Sequence, residues 1–190
     1  MPKILATEEQ WIETGMAYFA KGGAKALVVE KIAAELGTSK SSFYWYFSNR
    51  GVYLQRIVEE WTARSTTQVM ELSVQAPKAE EQLQSMLRQM FSVTGKGDFL
   101  FYLRKLALQE PSYASVLQRI EQARMGHAKE LFIRRGFPDE RASHLSWMLY
   151  HYYLGWYERH KNVTQSAAEV ERHLDRLLAE WSLDEGGDGR

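Results

Sequence analysis

The 190-residue chain has no cysteine and four prolines, and its 24 lysines and arginines are balanced by 24 acidic residues. Without cysteine there is no disulfide framework and no thiolate metal site. No strand-type alternation, internal repeat or low-complexity segment is present. The longest aromatic and apolar stretch, Leu145 to Tyr157, is interrupted by Ser, His and Gly and is too short to cross a bilayer. The opening MPKILATEEQ lacks the apolar run of a secretory leader. The expectation is a soluble, cytoplasmic protein with no membrane partner. There is no Ser-His-Asp order, no metal-spaced histidine cluster and no glycine-rich phosphate loop, so no catalytic residue, metal or cofactor is expected.

What the chain does have is helical periodicity from end to end. The most informative stretch is Ile32 to Phe47, IAAELGTSKSSFYWYF. Ile32, Ala33 and Leu36 fall on one face of a short helix, Gly37 can take a left-handed turn, and Ser39 can cap a second helix running to Phe47. This spacing predicts a helix-turn-helix. The second helix opens with small and basic residues and continues with five aromatics, more than one buried face needs. A recognition helix enters a major groove with its N-terminal end leading, so short side chains there let the backbone approach base edges. Lys40 can reach guanine acceptors or phosphate, the Ser41 and Ser42 hydroxyls can donate or accept, and Tyr44 and Trp45 can donate to phosphates or pack on sugars. Phe43 and Phe47, spaced i and i+4, point inward, and Tyr46 fits either face. Asn49 can cap the next helix, setting Arg50 at its positive end as a phosphate clamp.

Charge gives that reading limited support. A net charge of zero offers no general attraction to nucleic acid. Between Met1 and Arg56, seven cations face five carboxylates, a surplus of two. Weak non-specific binding follows, with affinity depending on a pair of heads and well-placed contacts.

Residues 7 to 58 resemble the DNA-binding head of the TetR family of transcriptional regulators. WIETGMAYF (Trp11 to Phe19) resembles the family's first helix, Gly23 its stop, Ile32 and Ala33 its paired Ile-Ala, and GTSKSSFYWYF its Gly-apolar-Ser-Lys-x-Thr-Leu-Tyr-x-Tyr-Phe. Asn49 and Arg50 resemble the polar-Lys pair that opens the fourth helix. The chain departs from the pattern where Leu27 and Val28 replace a capping Thr or Ser, Glu30 a frequent Arg, Ala24 an aromatic and Thr38 an apolar residue. These departures bear on the second helix's phosphate contact rather than on the fold.

Beyond the head, an apolar stripe continues from Leu54 to Trp61 and is broken at Ala76 to Lys78, so one element leaves the head and enters the body. A fifth helix carries Leu83, Met86, Leu87, Met90 and Phe91 and stops at Gly95 to Gly97. A sixth runs from Phe99 to Gln109, Pro111 breaks the chain, and a seventh carries Val116 to Leu131 and ends at Gly136. An eighth, opened by Pro138 and Asp139, has two apolar faces, and a ninth carries Val170, Leu174, Leu177, Leu178 and Trp181.

The expected fold is all-α, with about nine helices: a helix-turn-helix head over residues 1–48, a helical effector and dimerisation body over 49–183, and a disordered tail over 184–190. The resemblance implies a homodimer built on the last two long helices, with Leu149, Tyr152, Trp156, Val170, Leu174, Leu177 and Trp181 as interface candidates. It also implies a small-molecule effector, for which Phe101, Tyr102, His127, Trp147, Tyr150 and His151 are pocket candidates, although residues of these types at helical spacing more often serve core or dimer packing. The implied partners are an operator in double-stranded DNA, a second copy and an effector, and the implied function is a repressor of transcription. The alternatives are a helical ligand-binding protein or enzyme with a non-functional helix-turn-helix, and a TetR-like DNA-binding protein without effector.

Overall fold

The computed structural model describes residues 6–92 and 97–181, which are helical with no strand among them. The helix stop at Gly95 and Lys96 and the Asp184–Arg190 tail lie outside the described residues. The order is α1 (Glu8–Gly22), a 3-10 turn (Gly23–Ala26), α2 (Val29–Glu35), α3 (Lys40–Tyr46), α4 (Arg50–Thr62), a π segment (Ala63–Thr67) and α5 (Gln68–Ser73). Then come α6 (Ala79–Ser92), α7 (Phe99–Ala107), α8 (Pro111–Arg134), α9 (Asp139–His160) and α10 (Ala167–Glu180). Because α4, the π segment and α5 run on without a break, the described residues form nine separate α-helices, as the periodicity predicts.

Local chemistry sets the helix ends. Thr7 and Gln10 form the expected capping box, Ser166 and Glu169 form a second, and Asn49 and Asp98 cap α4 and α7 through the amides of Val52 and Phe101. Gly37 has φ 63°, and the Gly37 and Thr38 amides donate to the Ala34 and Ala33 carbonyls, a Schellman ending that turns the chain from α2 into α3. Ser39 stands at the N-cap of α3 without a side-chain cap bond, and Val28 leaves α2 equally uncapped.

Packing divides the chain at Thr67/Gln68, Gly95/Lys96 and Ile120/Glu121 into two units. These divisions by packing differ from the functional division expected at 48/49. α4, α7 and the first turns of α8 pack with the head because their apolar faces complete its core. In this first unit Tyr53 lies at the centre of Trp11, Phe43 and Phe47, with ring centroids 6.3, 5.1 and 4.7 Å away, and all four rings are buried. Each such side chain contributes roughly 1.5–3 kcal/mol by leaving water. The Tyr53 hydroxyl donates to the Trp11 carbonyl, which fastens α4 to α1. Phe99 packs between Phe19 (4.4 Å) and Trp61 (4.5 Å, stacked), and the Tyr102 hydroxyl donates to the Lys21 carbonyl, so α7 braces the end of α1.

The second unit has its own core. Leu83, Leu87 and Phe91 of α6 meet Leu131 and Phe132 of α8, Leu149 and Trp156 of α9, and Val170, Leu174 and Trp181 of α10. A two-point Arg88–Glu171 ion pair (2.5 and 3.1 Å) ties α6 to α10.

Two helical glycines make opposite predictions. A Cβ on Gly15 would overlap the Tyr53 hydroxyl and Ile57 Cδ1, whereas one on Gly126 of α8 meets nothing within 4 Å. Denaturant titration should find Gly15→Ala destabilised by roughly 1–3 kcal/mol through overpacking. Gly126→Ala should instead be stabilised by about 0.5–1 kcal/mol, since alanine has the higher helix propensity.

Candidate nucleic-acid interface

The surface of α3 follows from which residues its other face must bury. Ser42, Phe43 and Phe47 lie against α1 and α4, which leaves Lys40, Ser41, Tyr44 and Trp45, at i, i+1, i+4 and i+5, as one exposed stripe. Tyr44 is 55% and Trp45 83% exposed. Tyr44 is held by an edge contact on Phe43 (5.2 Å), so its hydroxyl projects from a fixed base.

Ser42 is a correction to the expected DNA contacts. It is 1% exposed and accepts a hydrogen bond from the Trp11 indole nitrogen at 3.3 Å. A buried indole N–H needs an acceptor, and the face opposite Lys40 and Tyr44 supplies it. Arg50 is exposed at the N-terminus of α4, with one guanidinium nitrogen donating to the Ala24 carbonyl at 2.8 Å. That bond fixes the 3-10 turn to α4 and leaves other N–H groups on an exposed side chain.

Lys40 has a partner that helical spacing does not indicate. Its Nζ lies 2.5 Å from Glu30 Oε1, in the first turn of α2. The hydrogen bond from Lys40 holds the Glu30 carboxyl below its ordinary value, and the same bond holds the Lys40 ammonium above its own. Glu30 is visible in the sequence only as a departure from a family pattern. A ten-residue separation across a turn leaves no periodic signal.

The effector candidates are divided between the two units. Phe101 and Tyr102 belong to the first unit and the other four to the second. Phe101 is 48% and Trp147 53% exposed, and His151 is exposed with Nδ1 2.8 Å from the Trp147 carbonyl. Tyr150 is buried and donates to Glu121 at 2.9 Å, and half-buried His127 has Nε2 2.7 Å from Ser73 Oγ.

Most of the dimer candidates lie within the core of one chain. Leu149, Trp156, Val170, Leu174 and Trp181 are buried inside the second unit and Leu177 packs against that core, so these faces are occupied within one chain. Tyr152 remains exposed. Beside it on α9 stand His144, Trp147, Met148, His151 and Gly155, and together the six form an exposed stripe at i, i+3, i+4, i+7, i+8 and i+11. In the sequence both faces are equally apolar, and only packing separates them.

Residues 12–52 match the family model of bacterial regulatory proteins, tetR family. Over these residues, from α1 to the first turn of α4, the chain is similar to that family. A TetR transcriptional regulator from Legionella pneumophila is 14% identical, with a TM-score of 0.74 over 93% of this chain and 99% of that one. The fatty acid degradation regulator FadR from Bacillus halodurans is 18% identical, with a TM-score of 0.62 over 96% of each chain. SmeT, the repressor of the Stenotrophomonas maltophilia multidrug efflux pump SmeDEF, is 18% identical, with a TM-score of 0.61 over 95% of this chain and 92% of that one. A comparison with curated proteins finds no match. At such identities the structural likenesses establish the fold alone. No helix among the described residues is long and apolar enough to cross a membrane, and no acidic, His or Cys group among them is arranged to hold a metal ion.

Two measurements test these placements. Ser42→Ala should lower stability in denaturant by roughly 1–3 kcal/mol, because the buried Trp11 N–H loses its acceptor, and should leave DNA affinity per folded molecule unchanged. Trp45→Ala should do the reverse. The second concerns acid. Burial, then Arg134, pushes the His127 pKa below 6.5, and burial, then His160 and Arg176, does the same to His173. A lowered histidine pKa means that the unfolded chain takes up the proton first, so stability present above pH 6.5 is lost as the pH falls through that value. Melting temperatures measured at pH 7 and pH 5 should drop more for wild type than for the His127→Gln, His173→Gln double variant.

Proposed function

We propose that this protein is a sequence-specific DNA-binding repressor of transcription that acts in the cytoplasm as a homodimer and releases its operator on binding a small molecule. The observation that carries the reading is the exposed Lys40, Ser41, Tyr44 and Trp45 stripe on the second helix of a helix-turn-helix, with Arg50 at the following helix N-terminus. Side chains of this kind on that helix suit base edges, sugars and phosphates. Two heads related by a two-fold axis would read a palindromic site, and the small local charge surplus makes a second head necessary for useful affinity.

The surface offered for the second copy is the exposed α9 stripe, in which Trp147, Met148 and Tyr152 supply apolar area and Gly155 lets a facing helix approach closely. For the effector, the polar ends inside the second unit are the His127–Ser73 and Tyr150–Glu121 pairs, which suit a ligand that is apolar with one or two hydrogen-bonding groups. SmeT's description as the repressor of an efflux pump supports repression by analogy of fold.

The test is selection of bound fragments from random DNA by wild type and by a Lys40→Ala, Tyr44→Ala variant. Wild type should enrich a palindrome and the variant should not, and enrichment of one sequence by both would remove the site assignment. In sedimentation, Trp147→Glu with Met148→Glu should give a folded monomer. Leu149→Ala should instead cost roughly 2–5 kcal/mol of stability, as expected for a core position.

A further inference from the structure

Glu30 is a carboxylate at the head's candidate DNA surface, and the ion pair it makes crosses the helix-turn-helix. It occupies the first turn of α2, whose N-cap Val28 contributes no side-chain cap, and reaches Lys40, the first residue of α3. Both side chains are more than half exposed, at 62% and 51%, so water reaches the pair and either member can leave it. Lys40 is also the one cation on the exposed stripe of α3.

The pair sets up an exchange whose balance depends on the DNA. On an arbitrary duplex, Lys40 can trade the carboxylate only for a phosphate, an anion of the same kind, and the trade leaves Glu30 uncompensated against a polyanion. Nothing is gained, so the pair stays closed. On a matching sequence, Ser41, Tyr44 and Trp45 hold α3 in the groove, and a guanine presents two acceptors to the Lys40 ammonium at once.

We propose that Glu30 determines specificity by holding Lys40 in an intramolecular ion pair on non-matching DNA and yielding it only to a base-edge acceptor in the operator. Glu30 is thus a positioning residue that acts through Lys40. The proposal rests on the DNA-binding reading above and adds to it a device that lowers non-specific affinity.

Glu30→Gln keeps the shape and removes the charge. Wild type and this variant are titrated across a salt series with the selected palindrome and with a random duplex of equal length. The variant should bind random DNA roughly five-fold tighter per head, with a log K against log salt slope steeper by about 0.9 per head, because one more counterion is released. Its gain on the palindrome should be smaller, so the ratio of the two affinities falls. Lys40→Ala added to Glu30→Gln should cancel the gain, because the freed ammonium is what the extra affinity comes from. Equal random-DNA affinity and slope for wild type and Glu30→Gln, or a gain that survives Lys40→Ala, overturns the proposal and leaves the DNA-binding reading standing. Failure of both proteins to bind any duplex at low salt overturns both.

Discussion

The position of Tyr53 is the constraint on which the first unit depends. Its ring touches Trp11 of α1 and Phe43 of α3 and lies against Phe47 in the chain between α3 and α4, and its hydroxyl donates to the Trp11 carbonyl. Trp11 in turn donates to Ser42, so one hydrogen-bonded, edge-packed group fixes the rotation of α3 about its own axis. That rotation decides which side chains face outward. Ser42 and Phe43 are drawn in, and Lys40, Ser41, Tyr44 and Trp45 are turned out as a consequence. Gly15 belongs to the same constraint, since any side chain there would occupy the space that Tyr53 and Ile57 fill.

Part of the charge in the first unit is engaged internally. Arg56 pairs with Glu8 and Glu59, and Arg64 in the π segment lies 3.9, 3.1 and 2.6 Å from Glu9, Glu13 and Glu60. Exposed pairs of this kind stabilise weakly one at a time, but together they clamp α1 along α4 and its π continuation. They also cancel cations that would otherwise add to a phosphate-attracting field. With Lys40 engaged by Glu30 as well, the net surplus of two is unchanged but fewer cations are free to meet a DNA backbone. Affinity then has to come from contacts made with correct geometry in both heads, and this favours discrimination between sequences over tight general binding.

Much of this was legible in the sequence, and the failures share one cause. Caps and turns are local, so Thr7, Asn49, Asp98 and Gly37 announced the helix ends. The inward placement of Phe43 and Phe47 followed from their spacing. Ser42 was misread because three small polar residues and five aromatics put acceptable residues on every face of α3, so periodicity carries no phase there. α9 repeats the problem at larger scale. Leu149 and Trp156 face the core while Met148 and Tyr152 face out, though each set has the same apolar character. The packing of α7 onto α1 is likewise invisible to any local pattern, because the Tyr102 hydroxyl and the Lys21 carbonyl that it joins lie 81 residues apart in the sequence.

Release of DNA by an effector requires that the effector bind one state of the protein better than another, and the chain limits the routes by which that preference can reach the head. It crosses between the two units at Thr67/Gln68, at Gly95/Lys96 and within α8 at Ile120/Glu121. The first crossing ends the π segment, where the i to i+5 bonding replaces regular α-helix, an irregularity found more often at functional sites than elsewhere. On its head side, Arg64 joins the π segment to three carboxylates, two of them on α1. On its other side, Ser73 at the end of α5 meets the His127 imidazole. Tyr150 meets Glu121 one residue beyond the third crossing. A ligand that rearranged either polar pair would therefore act within a few residues of a crossing, on backbone that continues directly into the unit bearing α3. The His127–Ser73 and Tyr150–Glu121 pairs thus lie close in sequence to the points at which the chain passes into the unit bearing α3.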